Sequence, residues 1–225
     1  MQYETDNKIR INQNVIVACT GAMGFAQRLM YHVDAAIKGN VFKNLDWREG
    51  SANIPHRFLP DLQKTFAQSH PHHGLQFGAL MAAAFKDEPY LIEYGPADFQ
   101  PEVKEGKSFF ASMGSGQALA DPFLAFVVRV LWKGKMPTVD IGKLGVYWVL
   151  KHTIDLAPGM VGPPIHLATL RKTEAGWVAE ELQDTSEGAQ FVELLEKHIS
   201  EFAITGIDTA QSEQPPTPPT NETAN

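Results

Sequence analysis

The sequence predicts an α+β domain built in layers. Three observations lead there: short apolar runs separated by turn residues, stretches with an apolar residue at every fourth position, and two helices apolar on nearly every side. Surfaces of that kind are hidden only when sheets and helices cover one another.

The elements follow in chain order. Lys8 to Ile11 and Val15 to Cys19 read as a strand hairpin turning through Asn12-Gln13-Asn14. Thr20-Gly21 opens a helix that places Phe25, Leu29, Val33 and Ile37 on one face and stops at Gly39-Asn40. A second helix is expected to start at Asn53 as N-cap, with Pro55 in its first turn and Phe58, Leu62 and Phe66 on one side, before Ser69-His70-Pro71 ends it. Leu75 to Phe85 and Pro89 to Tyr94 read as strands around Lys86-Asp87-Glu88, although the alanines of Leu80 to Ala84 suit a helix equally. A strand at Phe109 precedes two helices, Ser115 to Trp132 and Thr138 to Leu156. A further hairpin, Ile165 to Leu170 with Trp177 to Ala179, leads to a last helix, Thr185 to Phe202, begun by the capping box of Asp184 and Glu187.

Composition narrows the function classes. A chain of 225 residues, 44% hydrophobic, can bury one substantial core, so a single domain over 1–207 is expected. Residues 208–225 are rich in Pro, Thr, Gln and Asn and read as a disordered tail. A net charge of -7 offers no basic footprint for nucleic acid. Cys19, the only cysteine, rules out an internal disulfide and suits a cytoplasmic setting. Arg129 interrupts the best apolar run, so no membrane span or membrane partner is expected. His70-Pro71-His72-His73 lacks a carboxylate or cysteine at ligand spacing and reads as a solvated loop, with no metal assigned.

Residues Phe109 to Leu131, FFASMGSGQALADPFLAFVVRVL, run from an apolar strand through Gly114-Ser115-Gly116 into an apolar helix. Together with Asn7-Lys8-Ile9-Arg10-Ile11, Ala18-Cys19-Thr20-Gly21 and Asp155 to Gly159, in that order along the chain, this stretch resembles β-type proteasome subunits, which are N-terminal-nucleophile hydrolases. The likeness spans most of Lys8 to Phe202. It implies a four-layer α-β-β-α sandwich of two stacked antiparallel sheets, without the first hairpin. It further implies a threonine-type endopeptidase lineage, a ring of like subunits, polypeptide as substrate, an ATPase or another ring as partner, and no cofactor.

The resemblance also assigns roles. Relatives begin with a threonine that is nucleophile and free amine together, and a nearby cation keeps the amine neutral. Lys8 matches that cation, and only six residues separate it from Met1, so the threonine and its hairpin are expected to be absent from the chain as given. Gly21 matches the glycine whose N–H forms the oxyanion hole. Ser115 and Asp155 match the serine and aspartate that orient the terminal amine, while a further family serine falls at Pro158, and Pro122, several residues into the helix, either removes a backbone hydrogen bond or moves the helix start to Asp121 as N-cap. Structural readings stand beside each: Lys8 as a solvated charge on an edge strand, Gly21 as a tight-turn glycine, Ser115 as an N-cap. Gly50-Ser51 and Gly114-Ser115 are poor processing sites, since neither would leave a nucleophile at a strand end; Thr5 lies too near Lys8, and Cys19 lies inside a strand. A catalytic subunit, a non-catalytic ring subunit and an amidase or acylase of the same superfamily therefore remain as alternatives.

Overall fold

The computed structural model describes residues 8–66 and 76–212. It is an α+β fold of antiparallel sheets flanked by helices. The larger sheet has the order β1-β2-β3-β4-β5, formed by β1 (Ile9–Asn12), β2 (Val15–Thr20), β3 (Gly78–Phe85), β4 (Glu88–Tyr94) and β5 (Pro101–Val103). The smaller sheet pairs β6 (Leu167–Thr173) with β7 (Gly176–Leu182). The two meet where β2 approaches β6 and β1 approaches β7.

Helices α1 (Met23–Lys38), α2 (Val41–Asn44) and α3 (Trp47–Phe66) follow β2, and α1 and α3 pack on each other. Their core takes Val15 and Val17 from β2, Ala79, Met81 and Ala83 from β3, and Leu29, Val33, Ile54 and Phe58 from the helices, all at alternating or helical spacing. A second core gathers α4 (Gln117–Val130), α5 (Val139–Leu156) and α6 (Ser186–Ser212) around β6 through Val127, Trp148, Leu167 and Val192. Among the described residues no helix is long and apolar enough to cross a membrane.

The expected hairpins, α1, α4 and α5 form within two or three residues of their anticipated spans. The alanine-rich run is the strand β3 and not a helix, because it pairs residue by residue with both β2 and β4.

Four expectations need correction. Helix α3 begins at Trp47, not Asn53: the Asp46 carboxylate accepts the amides of Arg48 and Glu49 at 2.9 and 3.1 Å, a cap that starts the helix six residues earlier. Pro55 and Pro60 consequently lie inside it. Pro55 lacks the N–H that would reach the Ser51 carbonyl, and the buried Tyr94 hydroxyl donates to that oxygen instead, at 3.1 Å. Phe109 to Met113 forms no strand, because no neighbouring strand pairs with it; Phe109 and Phe110 pack on the second core, with Phe109 6.2 Å from Trp132, while Met113 lies against Gly78 of β3. The strand β5 was not anticipated; its register with β4, Ile92 opposite Val103, is a tertiary pairing. Finally α6 continues to Ser212 beyond Phe202. The expected end of α3 at Ser69 to Pro71 and the histidines at 70, 72 and 73 lie outside the described residues, as do 213–225.

Candidate functional site

Several segments meet where β2 ends. Thr20 pairs with Gly78 across β2 and β3, and the chain then turns sharply at Gly21, whose φ of +97° is a left-handed value. A Cβ there would lie 2.3 Å from the Gln76 carbonyl oxygen, so glycine is required both by conformation and by space. Gly78 is similarly confined: a Cβ would stand 2.8 Å from Met113 Sδ.

The Gly114-Ser115-Gly116 turn closes on the same place. A Cβ on Gly114, at φ +103°, would come within 3.2 Å of Thr20 Oγ1, which sets this turn directly against the end of β2. Ser115 Oγ donates to the Met160 carbonyl at 3.0 Å. Gly116 lies so close to Thr153 and Val161 that a Cβ would be 2.8 Å from a methyl of each. The turn is thus held between Thr20 on one side and the end of α5 with its following loop on the other.

Each of the four sequence-derived residues can now be located. Lys8 stands just before β1, and its carbonyl accepts the Cys19 amide at 3.2 Å, so its main chain runs beside Cys19. Gly21 and Ser115 approach each other through the Thr20–Gly114 contact. Asp155 lies two residues beyond Thr153, in the last turn of α5, but its carboxylate is engaged by Lys151 Nζ at 2.6 Å. That hydrogen bond raises the Lys151 pKa. Ser115 is not the helix cap: Gly116 occupies the N-cap position of α4, which freed the serine hydroxyl for Met160. Nor is Asp121 the cap; it lies inside α4 and accepts from Ser112 Oγ at 2.5 Å and Gln117 Nε2 at 3.2 Å, with Pro122 one residue further in the helix.

Cys19 has the wrong electrostatics for a nucleophile. Burial pushes its thiol up to about 12, and Arg10 opposes this only partly, so the reactive thiolate is scarce at neutral pH. Among the described residues no group of three His, Cys, Asp or Glu is placed to hold a metal.

Thr20, Gly78, Met113, Thr153 and Met160 shape this site without having been singled out in the sequence. Gly78 and the Gly159-Met160 loop carried a signal, as glycines beside an apolar strand and beyond a helix end. The threonines carried none, because their contribution is proximity across the fold. Chemically, the site offers a glycine amide at a strand-to-helix turn, a group able to meet a developing oxyanion without any side chain, and hydroxyls from Thr20 and Ser115 close by.

No protein-family model matches this sequence, and no match was found among curated proteins. Solved structures do match. Against the Anbu (Gly-1) mutant from Hyphomicrobium sp. strain MC1 the TM-score is 0.64 at 12% identity, covering 95% of this chain and 87% of that one. Against Anbu, the ancestral beta-subunit, from Yersinia bercovieri, the TM-score is 0.60 at 11% identity, covering 94% and 86%. The shared feature is the fold: this chain has the architecture of the Anbu structures, one of which is described as an ancestral beta-subunit.

Proposed function

We propose that this chain is a proteasome β-like subunit of the threonine-type endopeptidase lineage that takes part in protein degradation within a ring of like subunits, its two sheets stacked as the middle layers of an α-β-β-α sandwich. The observation that carries the reading is the seat of the glycine-serine-glycine turn against Thr20, with Ser115 bound to the Met160 carbonyl. In an ordinary layered domain there is no reason for these segments, far apart in sequence, to need glycine at each contact. A shared fold with Anbu over 95% of the chain supports the same reading. In it, Gly21 supplies an oxyanion donor, Ser115 and Asp155 orient the amine of a terminal threonine, and Lys8 holds that amine neutral.

A second reading, a ring subunit without hydrolytic activity, is favoured by one specific contact. Lys151 holds the Asp155 carboxylate at 2.6 Å, and Pro158 stands where a hydroxyl would be needed.

Expression from the DNA including the region upstream of Met1, followed by a threonine-directed β-lactone and intact-mass measurement, tests both. The first reading expects an assembly larger than a monomer that gains one lactone per subunit, attached ahead of Lys8. An assembly of the same size with no adduct favours the second. A monomer without adduct removes both.

A further inference from the structure

At the opposite end of the sheets from the Gly21 turn lies a cleft of about 430 Å³. Three turns frame it: β1–β2 with Gln13 and Asn14, α1–α2 with Asn40, and β3–β4 with Lys86 and Asp87; Lys43 on α2 and Trp177 on β7 complete the rim. Gln13, Asn40, Lys86 and Asp87 all have positive φ, from 46° to 70°. Such values are uncommon for residues other than glycine, and here four of them hold one rim. The Lys86 amide donates to the Phe42 carbonyl at 3.0 Å, which fastens the β3–β4 turn to α2.

The charges in this cleft are unevenly used. Asp87, its one acidic lining residue, is already occupied: Lys172 Nζ reaches Oδ2 at 2.5 Å and the Trp177 indole N–H reaches Oδ1 at 2.8 Å. By contrast Lys43 and Lys86 form no ion pair with any described residue. Asp46 feels the Lys86 charge without forming an ion pair with it, and its Oδ1 is bonded to two amides of its own turn. At the end of α1 the carbonyls of Ala35 and Ile37 already take the amides of Gly39 and Asn40. Two unpaired ammonium groups on a chain of net charge -7, flanked by three amide side chains, form a local anion trap. Ile37, Phe42, Ala84 and the Trp177 ring supply an apolar floor.

We propose that this cleft binds a small phosphate monoester, with Lys43 and Lys86 on the phosphate and the organic body lying on Phe42 and Trp177. Lysines act on phosphate as mobile point charges, and Asn40, Asn14 and Gln13 donate amide hydrogens to its remaining oxygens. This site is independent of hydrolysis at the Gly21 turn and stands or falls separately from it.

Calorimetric titration of the full chain with phenyl phosphate, inorganic phosphate and phenol tests it. Phenyl phosphate should bind saturably at millimolar concentration or below, inorganic phosphate about tenfold more weakly, and phenol not at all, with the affinity falling as salt rises. The exposed pair Lys43→Gln and Lys86→Gln should together weaken phenyl phosphate by about tenfold or more, whereas Lys38→Gln, outside the cleft, should not. Equal binding to the double variant, binding of phenol matching that of phenyl phosphate, or no saturable heat from any probe would overturn the site. Inorganic phosphate binding as tightly as phenyl phosphate would overturn the ligand class.

Discussion

The two cores contain similar residues and are covered very differently. Around α1 and α3, Ile54, Phe58, Phe77 and Phe99 are fully buried, with Phe58 and Phe99 4.9 Å apart and Phe77 stacked on Phe99 at 5.7 Å. Around α4, α5 and α6, only Val127 and Val192 reach full burial, while Phe126 is 37% exposed and Phe202 77%. Sheet width explains the contrast. Strands lie about 4.8 Å apart, so five strands present a floor of roughly 20 Å, enough for two helices of about 10 Å diameter, whereas two strands back only one. That one is α5, which rests on β6, and α4 and α6 lean on α5 from its sides. Their outward faces are left to water or to another chain.

The largest effect that could break this contrast is in the first core. Phe58→Ala should lose about 3–5 kcal/mol in urea denaturation, and Phe126→Ala under about 1 kcal/mol. Equal losses would mean that the second core is as well closed as the first.

The next sharpens the view that the Gly21 turn is a built feature. Gly21→Ala forces both a left-handed residue and a clash with Gln76, so about 1–3 kcal/mol should be lost. Gly159→Ala, where a Cβ meets nothing within 4 Å, should stay within about 0.5 kcal/mol by the same measurement.

The smallest concerns the far end, where β6–β7 is tied to the larger sheet through Asp87. The hydrogen bond from Lys172, with help from Trp177, lowers the Asp87 pKa in the folded chain. A carboxylate so shifted stabilises above its unfolded value, and the benefit disappears as pH falls through the folded one. Asp87→Asn should therefore lower Tm slightly at neutral pH, and the difference from the parent should vanish in acid. A difference independent of pH would show that the charge is irrelevant to the tie.

Much of the fold was legible because local rules governed it. The α1 stripe, the Thr138 cap that accepts the Ile141 amide, and the Lys86-Asp87 turn depend on neighbours within a few residues. Where a distant partner decides, reading failed. Phe109 to Met113 has the apolar composition of a strand but no strand to pair with, and Pro101 to Val103 has little strand character yet pairs with β4. The candidate site divides along the same line. Gly21 and Ser115 stood out because a turn leaves a signature in sequence, whereas Thr20 against Gly114 and Lys151 on Asp155 are matters of approach and rotamer.

By itself, then, the sequence determined the alternation of strands and helices, the turns that need glycine, and the net negative charge. Only the tertiary structure decided which apolar faces are covered, that Ser115 is bonded to Met160 and that Asp155 is held by Lys151. The reason is range: backbone propensity and capping act within one or two turns of chain, while burial and side-chain pairing depend on groups brought together from distant parts of the chain.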